Sequence, residues 1–453
     1  MNIKIYEDLA NKGSNSRKLA NDFLKDFYKN KEIKYPINPF EILKQLNIKF
    51  IFRDFSNAEG IYIPAENNKD FPIVGFNINR PIQRQRFTAA HELCHHLKDS
   101  HKNFICLSNS NNEIEKYADN FASELLMPIE DLKKQVYFYT KNGTITEVDI
   151  LKISQYFGVS YEACLRKIVY EVSESKKLSY KTIKESIDAF KPNKQKRNLE
   201  LFDTLLYEQL IESMHPTFDI SYNNFSKDVF KNEYIFNDSR MEGIKIDREK
   251  ASDIITDLRL NKQNSPFCNE KNQNIIELTG LSFMYDYIFE KSNTNISIYD
   301  AKHLNKLLYS TAPYPEYGGT YRETNTLVEG AKFETIDYTK IPEEFMNLGK
   351  TIDTLLNNSN ISINEYIKET IKIHHRMTVI HPFRDGNGRT CRAFTNMLLI
   401  RKNIPPVFFS NNNKNEYKEA LKIVDTKYNY DPLFEIFYKT IINSFTLLTD
   451  NIH

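Results

Sequence analysis

The sequence predicts two domains in series: a small α+β domain, then an all-α helical bundle interrupted by one β-hairpin. Three observations lead there. Strand-like runs at residues 48–55, 60–64 and 72–79 mix with amphipathic stretches near the start of the chain. From about Asn198 onward the apolar spacing is mostly helical. Between these regions, residues 176–197 are lysine-rich and end in KPNKQKR, the composition of a basic connector. The predicted boundaries are therefore 1–175, 176–197 and 198–453. A chain of 453 residues gives each domain enough length to bury its own core.

Taken in order, residues 16–30 read as a first amphipathic helix and 39–46 as a second. The third strand-like run, 72–79, directly precedes the next helix, which makes it the candidate edge for holding a peptide in extended form. Residues 87–96 then read FTAAHELCHH. His91 and His95 are four apart, so on a helix their imidazoles face the same way and can share one zinc ion. Glu92 beside them can polarise a water and pass its proton to a leaving amine. A third ligand is needed. In EKYADNFASELLMP, Glu115, Asp119, Ala122 and Leu126 fall on one helical stripe. Glu115 is the predicted ligand, and Asp119 the acceptor that orients a ligating histidine. Glu113 and Glu124 are the competitors. Cys94 and His96 project away from the shared face. Two histidines at this spacing on an exposed helix by chance is the plain alternative. Residues 147–171 read as two short helices around Gly158-Val159-Ser160, with ordinary charge, a packing unit and not a DNA reader.

The stretch 87–128, together with ISQYFGVSYEACLRKI at 153–168, resembles the ImmA/IrrE family of small metallopeptidases. That resemblance implies a compact gluzincin-like domain that binds Zn2+ and hydrolyses peptides. Several family members cleave helix-turn-helix repressors, so it also implies a partner substrate such as a repressor or antitoxin. A domain that keeps the metal and only recognises a partner stays open.

The second domain carries HPFRDGNGR at residues 381–389. Gly386 and Gly388 can take backbone angles closed to other residues, so successive N–H groups can converge on an anion. Ala393, Phe394, Met397 and Leu398 have helical spacing, which places the turn at a helix N-terminus, where phosphate is favoured. Asp385 offers the hard oxygen that Mg2+ prefers. Arg389 can chelate a phosphate in fork geometry, and His381 is placed to take a proton from an attacking hydroxyl. As DG and NG turn dipeptides alone, the segment would be a plain loop.

This segment resembles the Fic-family signature HPFx(D/E)GN(G/K)R at every specified position. The resemblance implies a helical bundle that moves AMP from ATP to a Ser, Thr or Tyr hydroxyl of a target protein. By position, His381 would be the general base and Asp385 the Mg2+ ligand. Asn387 and the amides of Gly386 and Gly388 would hold the α-phosphate, and Arg389 the γ-phosphate. Phe383 would plug the space beneath the loop, and Arg384 completes the nucleotide-binding run. Tyr417, in NEYKEAL, falls where the family has an aromatic near the adenine, although a core tyrosine fits equally. GGTYRETNTLVEG, residues 318–330, resembles the family's flap, a hairpin that pairs with the target's backbone; a purely structural hairpin is the alternative. NDSRMEGIK, residues 237–245, resembles the inhibitory helix [S/T]xxxE(G/N), with Glu242 pairing Arg389. Asp238 stands at the Ser/Thr position, which predicts a loosened helix. A solvated glutamate is the alternative there.

Composition narrows the setting. Net charge is +1, so nothing pulls the chain toward nucleic acid or an acidic membrane. Five scattered cysteines favour a reducing compartment. The N-terminal residues lack an apolar h-region, and no run approaches a membrane span. The expectation is a cytoplasmic, bifunctional regulator of stress-response or toxin–antitoxin type, using ATP, Mg2+ and Zn2+. The other reading is a sensor or adaptor whose metal domain recognises a partner and whose Fic domain is silent or removes AMP.

Overall fold

The computed structural model describes residues 3–29, 31–67, 70–107, 112–140, 144–172, 180–215, 224–291, 294–327, 334–410 and 412–450. The chain forms two compact units, Met1–Ser213 and Met214–His453.

The first unit opens with α1 (Lys4–Asn11), α2 (Ser16–Phe27) and α3 (Pro39–Gln45). Asn15 and Asn38 start the last two by accepting from first-turn amides, and Pro39 fits the N-terminal turn because it lacks an N–H that would need a partner. Strands β1 (Lys49–Arg53), β2 (Ala58–Ile63) and β3 (Ile73–Asn77) precede α4 (Ile82–Lys98), and β4 (Phe104–Leu107) follows it. The sheet order is β1-β3-β2-β4, parallel between β1 and β3 and otherwise antiparallel. Hence β3, predicted as the edge, is interior. Val74 and Phe76 are fully buried, and both of its sides are hydrogen-bonded. The exposed edge on the β2 side is β4, whose four residues are too few for a sequence pattern to reveal. A Cβ at Gly60 of β2 would lie 2.4 Å from Thr88 Cγ2 and 3.0 Å from Glu92 Oε1, so glycine is what lets the sheet lie directly on α4.

Helices α5 (Glu113–Leu126), α6 (Ile129–Thr140), α7 (Glu147–Phe157) and α8 (Tyr161–Lys167) complete the expected part of this unit. Gly158, at φ +65°, makes the turn between the last two, and fully buried Arg86 donates to its carbonyl. The connector is helical where described, as α9 (Tyr180–Phe190) and α10 (Pro192–Asn198), and α11 (Thr204–Met214) follows. Residues 198–213, assigned from sequence to the second domain, belong to the first unit. Gln209 donates to the Pro36 carbonyl at 2.8 Å and accepts from Arg86 at 2.7 Å. Those long-range polar ties have no local signature.

The second unit is helical: α12 (Asn224–Met241), α13 (Arg248–Asn261), α14 (Gln273–Lys291), α15 (Ile298–Leu308), α16 (Ile341–Asn357), α17 (Ile363–Ile380), α18 (Asn387–Ile400), α19 (Lys414–Lys427) and α20 (Asp431–Asp450). The HPFRDGNGR loop joins α17 to α18. Phe383 is fully buried beneath it, edge-on to Phe345. Before α16, residues 320–322 pair with the loop: Arg322 N donates to Pro382 O at 3.0 Å, and Tyr321 bridges Phe383. Of the hairpin predicted over 318–330, the described residues 318–327 form no strand beyond the Tyr321–Phe383 bridge and 328–330 lie outside the described residues; Thr335 Oγ1, past the predicted hairpin, donates to Thr326 O at 2.6 Å. No described helix is long and apolar enough to cross a membrane. All five cysteines are free thiols.

Two candidate active sites

In the first unit, α4 and α5 pack face to face and bring together the residues that the sequence singled out. His91 Nε2 lies 3.1 Å from both Glu115 Oε2 and His95 Nε2, and His95 Nε2 lies 3.5 Å from Glu115 Oε1. His91 Nδ1 meets Asp119 Oδ1 at 2.9 Å, a bond that fixes the ring and leaves Nε2 for a ligand. Phe104 of β4 stacks on His95 with centroids 3.9 Å apart. The competitors sit elsewhere: Glu113 is exposed at the start of α5, and Glu124 is buried against Lys167 at 2.9 Å. His96 pairs with the Tyr62 hydroxyl.

Glu92 is 0% exposed, and neither of its carboxylate oxygens has a hydrogen-bond partner among the described residues. Burial pushes its carboxyl up to about 8 against the pull of His91. Burial also lowers His95 to about 4, helped by its neighbour His91. For His91 burial acts the same way, but bonds to Asp119, Cys106 and Glu115 outweigh it and hold the ring well above its ordinary value. Two imidazoles and a carboxylate form a donor set that fits zinc, and an unpartnered buried carboxylate beside them fits a proton-handling role. Cys106 of β4, grouped with His91 and Glu92, escaped the sequence reading because nothing in FICL has metal-ligand spacing.

In the second unit, His381 closes α17 in the left-handed region, φ +48°, and its carbonyl accepts from Arg322 Nε at 2.8 Å. Burial, then the Arg322 charge, lowers its pKa to about 4, so the ring is neutral and can accept a proton. Gly386, φ +73°, caps α18, whose first-turn amides have no preceding helical carbonyl to bind. Asp385 is 61% exposed at its side chain; Oδ1 accepts from Gly386 N at 2.7 Å and Oδ2 from the Tyr309 hydroxyl at 2.6 Å. Arg389 is buried at the start of α18.

Residues 43–169 match the Peptidase M78 family model, described as the IrrE N-terminal-like domain, and residues 295–399 match the Fic/DOC family model. The chain carries an IrrE-like domain and a Fic domain. The protein adenylyltransferase fic-1 of Caenorhabditis elegans is 28% identical over 156 residues, covering 34% of this chain and 29% of that protein. Protein adenylyltransferase Fic of Aedes aegypti is 26% identical over 152 residues, covering 33% and 29%. The match thus spans less than a third of these relatives' length. Among solved structures, C. elegans Fic-1 (residues 134–508) aligns with TM-score 0.47 at 14% identity, covering 73% of this chain and 98% of that one. A Fic-domain signalling protein from Bacteroides thetaiotaomicron aligns with TM-score 0.44 at 18% identity, covering 53% and 95%.

Within the Fic loop some side chains have structural partners. Asn387 clasps Phe383, accepting from its N and donating to its O, both at 2.8 Å, and so shapes the loop. Arg384 lies over the Tyr317 ring, 3.9 Å from its centroid. A Cβ on Gly388 would come within 3.0 Å of Arg392 Nη1. Tyr417 sits in the core, stacked on Phe409 with its hydroxyl 2.7 Å from His374 Nε2.

The inhibitory-helix pairing differs from expectation. Glu242 Oε1 meets Arg392 Nη2 at 2.5 Å, and not Arg389, which pairs with Glu277 of α14. Asp238 Oδ1 takes Arg392 Nε, also at 2.5 Å. Asp238 and Glu242 are one helical turn apart, so both carboxylates reach one guanidinium. Asp238 is therefore a second anchor on the arginine. Burial raises the Glu242 carboxyl, but the Arg392 and Arg389 charges outweigh it and hold the group below the usual range. Sequence reasoning missed Arg392, Glu277 and Tyr309. The first could have been found three residues after Arg389 on the same helical side; the other two come from distant helices.

Proposed function

We propose that the Fic domain transfers AMP from ATP to a hydroxyl of a target protein, and that the IrrE-like domain hydrolyses a peptide bond in a partner protein. The observation that carries the first part is one loop presenting a neutral His381, an exposed Asp385, the free amides of α18 and Arg389. In the reaction the target hydroxyl oxygen bonds to the α-phosphorus, the bond to pyrophosphate breaks, and His381 takes the hydroxyl proton. Asp385 would hold Mg2+, which when bound supplies neutralising charge for the phosphates. The α18 amides and Arg389 orient the phosphates.

Arg392, gripped by Asp238 and Glu242, holds the Glu242 carboxylate against the loop, 3.5 Å from where a Cβ on Gly388 would be, and that negative charge opposes phosphate at the α18 amides, so basal transfer is low. In the IrrE-like domain His91, His95 and Glu115 would hold Zn2+, which when bound supplies Lewis acidity at the scissile carbonyl. Glu92, whose carboxylate form a bound cation beside it would favour, takes the proton of the attacking water and hands it to the leaving amine. Strand β4, an edge with Ile105 64% exposed, replaces β3 as the rail for an extended substrate. A repressor or antitoxin in the cytoplasm is the proposed partner. The sensor reading, with a silent Fic domain, draws on the same observation as the restraint: both arginines are already paired with carboxylates.

The test is mass spectrometry of cell lysate incubated with ATP, Mg2+ and either wild type or His381→Ala. AMP-bearing peptides present with wild type and missing with the variant support transfer; their absence from both favours the sensor.

A further inference from the structure

The Asp385 carboxylate stands on an exposed loop, where an unrestrained side chain would sample several rotamers. It is held by two donors instead. Gly386 N reaches Oδ1 at 2.7 Å, and the Tyr309 hydroxyl reaches Oδ2 at 2.6 Å. Two donors on two oxygens fix the torsion of the carboxylate and still leave each oxygen a second lone pair for a cation. Tyr309 is the residue that ends α15, and it is itself locked in place. It is buried, with the Tyr314 and Tyr317 rings at 6.1 and 6.4 Å, and its Cε2 is 3.2 Å from where a Cβ on Gly386 would be. A side chain at position 386 would push the loop off this ring. One turn earlier on α15, Asn305 anchors the same loop, donating to Asp385 O and Thr390 Oγ1, both at 3.0 Å. The other side of the Tyr309 oxygen faces Arg389 Nη2 at 3.5 Å, and the far end of that guanidinium is tied to Glu277. The same Nη2 also lies 3.6 Å from Asp385 Oδ2, so the hydroxyl, the carboxylate proposed for Mg2+ and the arginine proposed for phosphate form a triangle, with the tyrosine oxygen the nearest neighbour of the carboxylate.

We propose that Tyr309 is a positioning residue that presets Asp385 for the divalent cation and, through the same oxygen, sets the spacing between Asp385 and Arg389. The inference rests on the AMP-transfer reading of the Fic domain. It predicts that the tyrosine oxygen matters for capturing the metal–nucleotide pair and much less for the chemical step once that pair is bound.

The experiment uses the full chain as wild type and Tyr309→Phe, which keeps the ring and removes only the hydroxyl. Titration calorimetry measures Mn2+ binding in the presence of a non-hydrolysable ATP analogue. In parallel, AMP transfer is measured against Mg2+ concentration, and melting curves are recorded without ligand. Loss of an orienting hydrogen bond to a metal ligand commonly weakens metal binding about 10–100-fold. The expected result is a weakening of Mn2+ binding in that range and a matching rise in the Mg2+ concentration for half-maximal transfer. The kcat at saturating Mg2+ should stay within about threefold of wild type, with an unchanged melting curve. Equal Mn2+ binding by the two proteins overturns the proposal and leaves the AMP-transfer reading standing. Tighter binding by the variant overturns it too, because the hydroxyl would then be a competitor for the metal's oxygen. Loss of transfer at every Mg2+ concentration with a lowered melting temperature would show a purely structural tyrosine. If wild type neither binds the metal–analogue pair nor transfers AMP, the functional reading falls and takes this inference with it.

Discussion

Removing Glu242 should release the Fic domain only in part. Arg392 is gripped twice, by Glu242, 33% exposed at its side chain, and by Asp238, 2% exposed. Two unit charges about 4 Å apart attract by about 4 kcal/mol at an effective dielectric of about 20. Solvent screening reduces the Glu242 share to roughly 1–2 kcal/mol. If ATP phosphate must displace that carboxylate, Glu242→Gly should raise AMP transfer about 5–30-fold, at about 1.36 kcal/mol per factor of ten. The buried Asp238 would still neutralise Nε. Adding Asp238→Ser should free the guanidinium and raise the rate a further ~10-fold, while lowering stability because a buried arginine loses its partner. The assay is the initial rate of label transfer from α-phosphate-tagged ATP into protein, for wild type and the two variants, with melting curves to confirm folding. Equal rates for Glu242→Gly and wild type would show that α12 does not restrain the site. Equal rates for the single and double variants would show that Asp238 is only scaffold.

In the IrrE-like domain, Glu92→Gln should keep zinc and lose about a hundredfold or more in peptide hydrolysis, since the group handles a proton and is not a ligand; metal analysis beside a peptidase assay checks both halves. Asp119→Ala should weaken zinc binding about 10–100-fold by freeing the His91 ring, whereas Glu113→Gln should leave zinc binding unchanged, as chelator competition would show. His374 is buried and neutral, its pKa lowered to about 3 by burial and then by the Arg392 and His375 charges. Its folded value lies below the unfolded ~6.5, so the unfolded chain binds the extra proton between them. The stability it supports is full above pH 6.5 and falls as the pH drops below it, by about 2 kcal/mol at pH 5. Urea unfolding of wild type and His374→Gln at pH 7.5 and 5 should show a smaller acid loss in the variant; equal losses would contradict the assignment.

Local pattern carried much of this molecule. The i, i+4 spacings of His91/His95 and Glu115/Asp119 place each pair on one side of a helix, and the structure sets the two pairs face to face. The Fic loop was legible because its chemistry lies in nine consecutive residues. Features that depend on partners distant in sequence were not legible. The central position of β3 depends on β1 and β2 flanking it, and β4 is too short to show an alternation. The unit boundary depends on Gln209 and Arg86, 123 positions apart. Pairing Glu242 with Arg389 failed because Glu277 on another helix already takes that arginine, a competition no linear spacing records.

The central claim is that the second unit moves the AMP part of ATP, with His381 as base. The direct measurement supplies ATP labelled in either the α- or the γ-phosphate to the Glu242→Gly protein, with and without His381→Ala, and follows label in protein together with released pyrophosphate. The account predicts α-label in protein matched one-to-one by pyrophosphate, no γ-label, and a loss of about a hundredfold or more without His381. Label from the γ-phosphate in protein, or α-label that persists undiminished in His381→Ala, would contradict it.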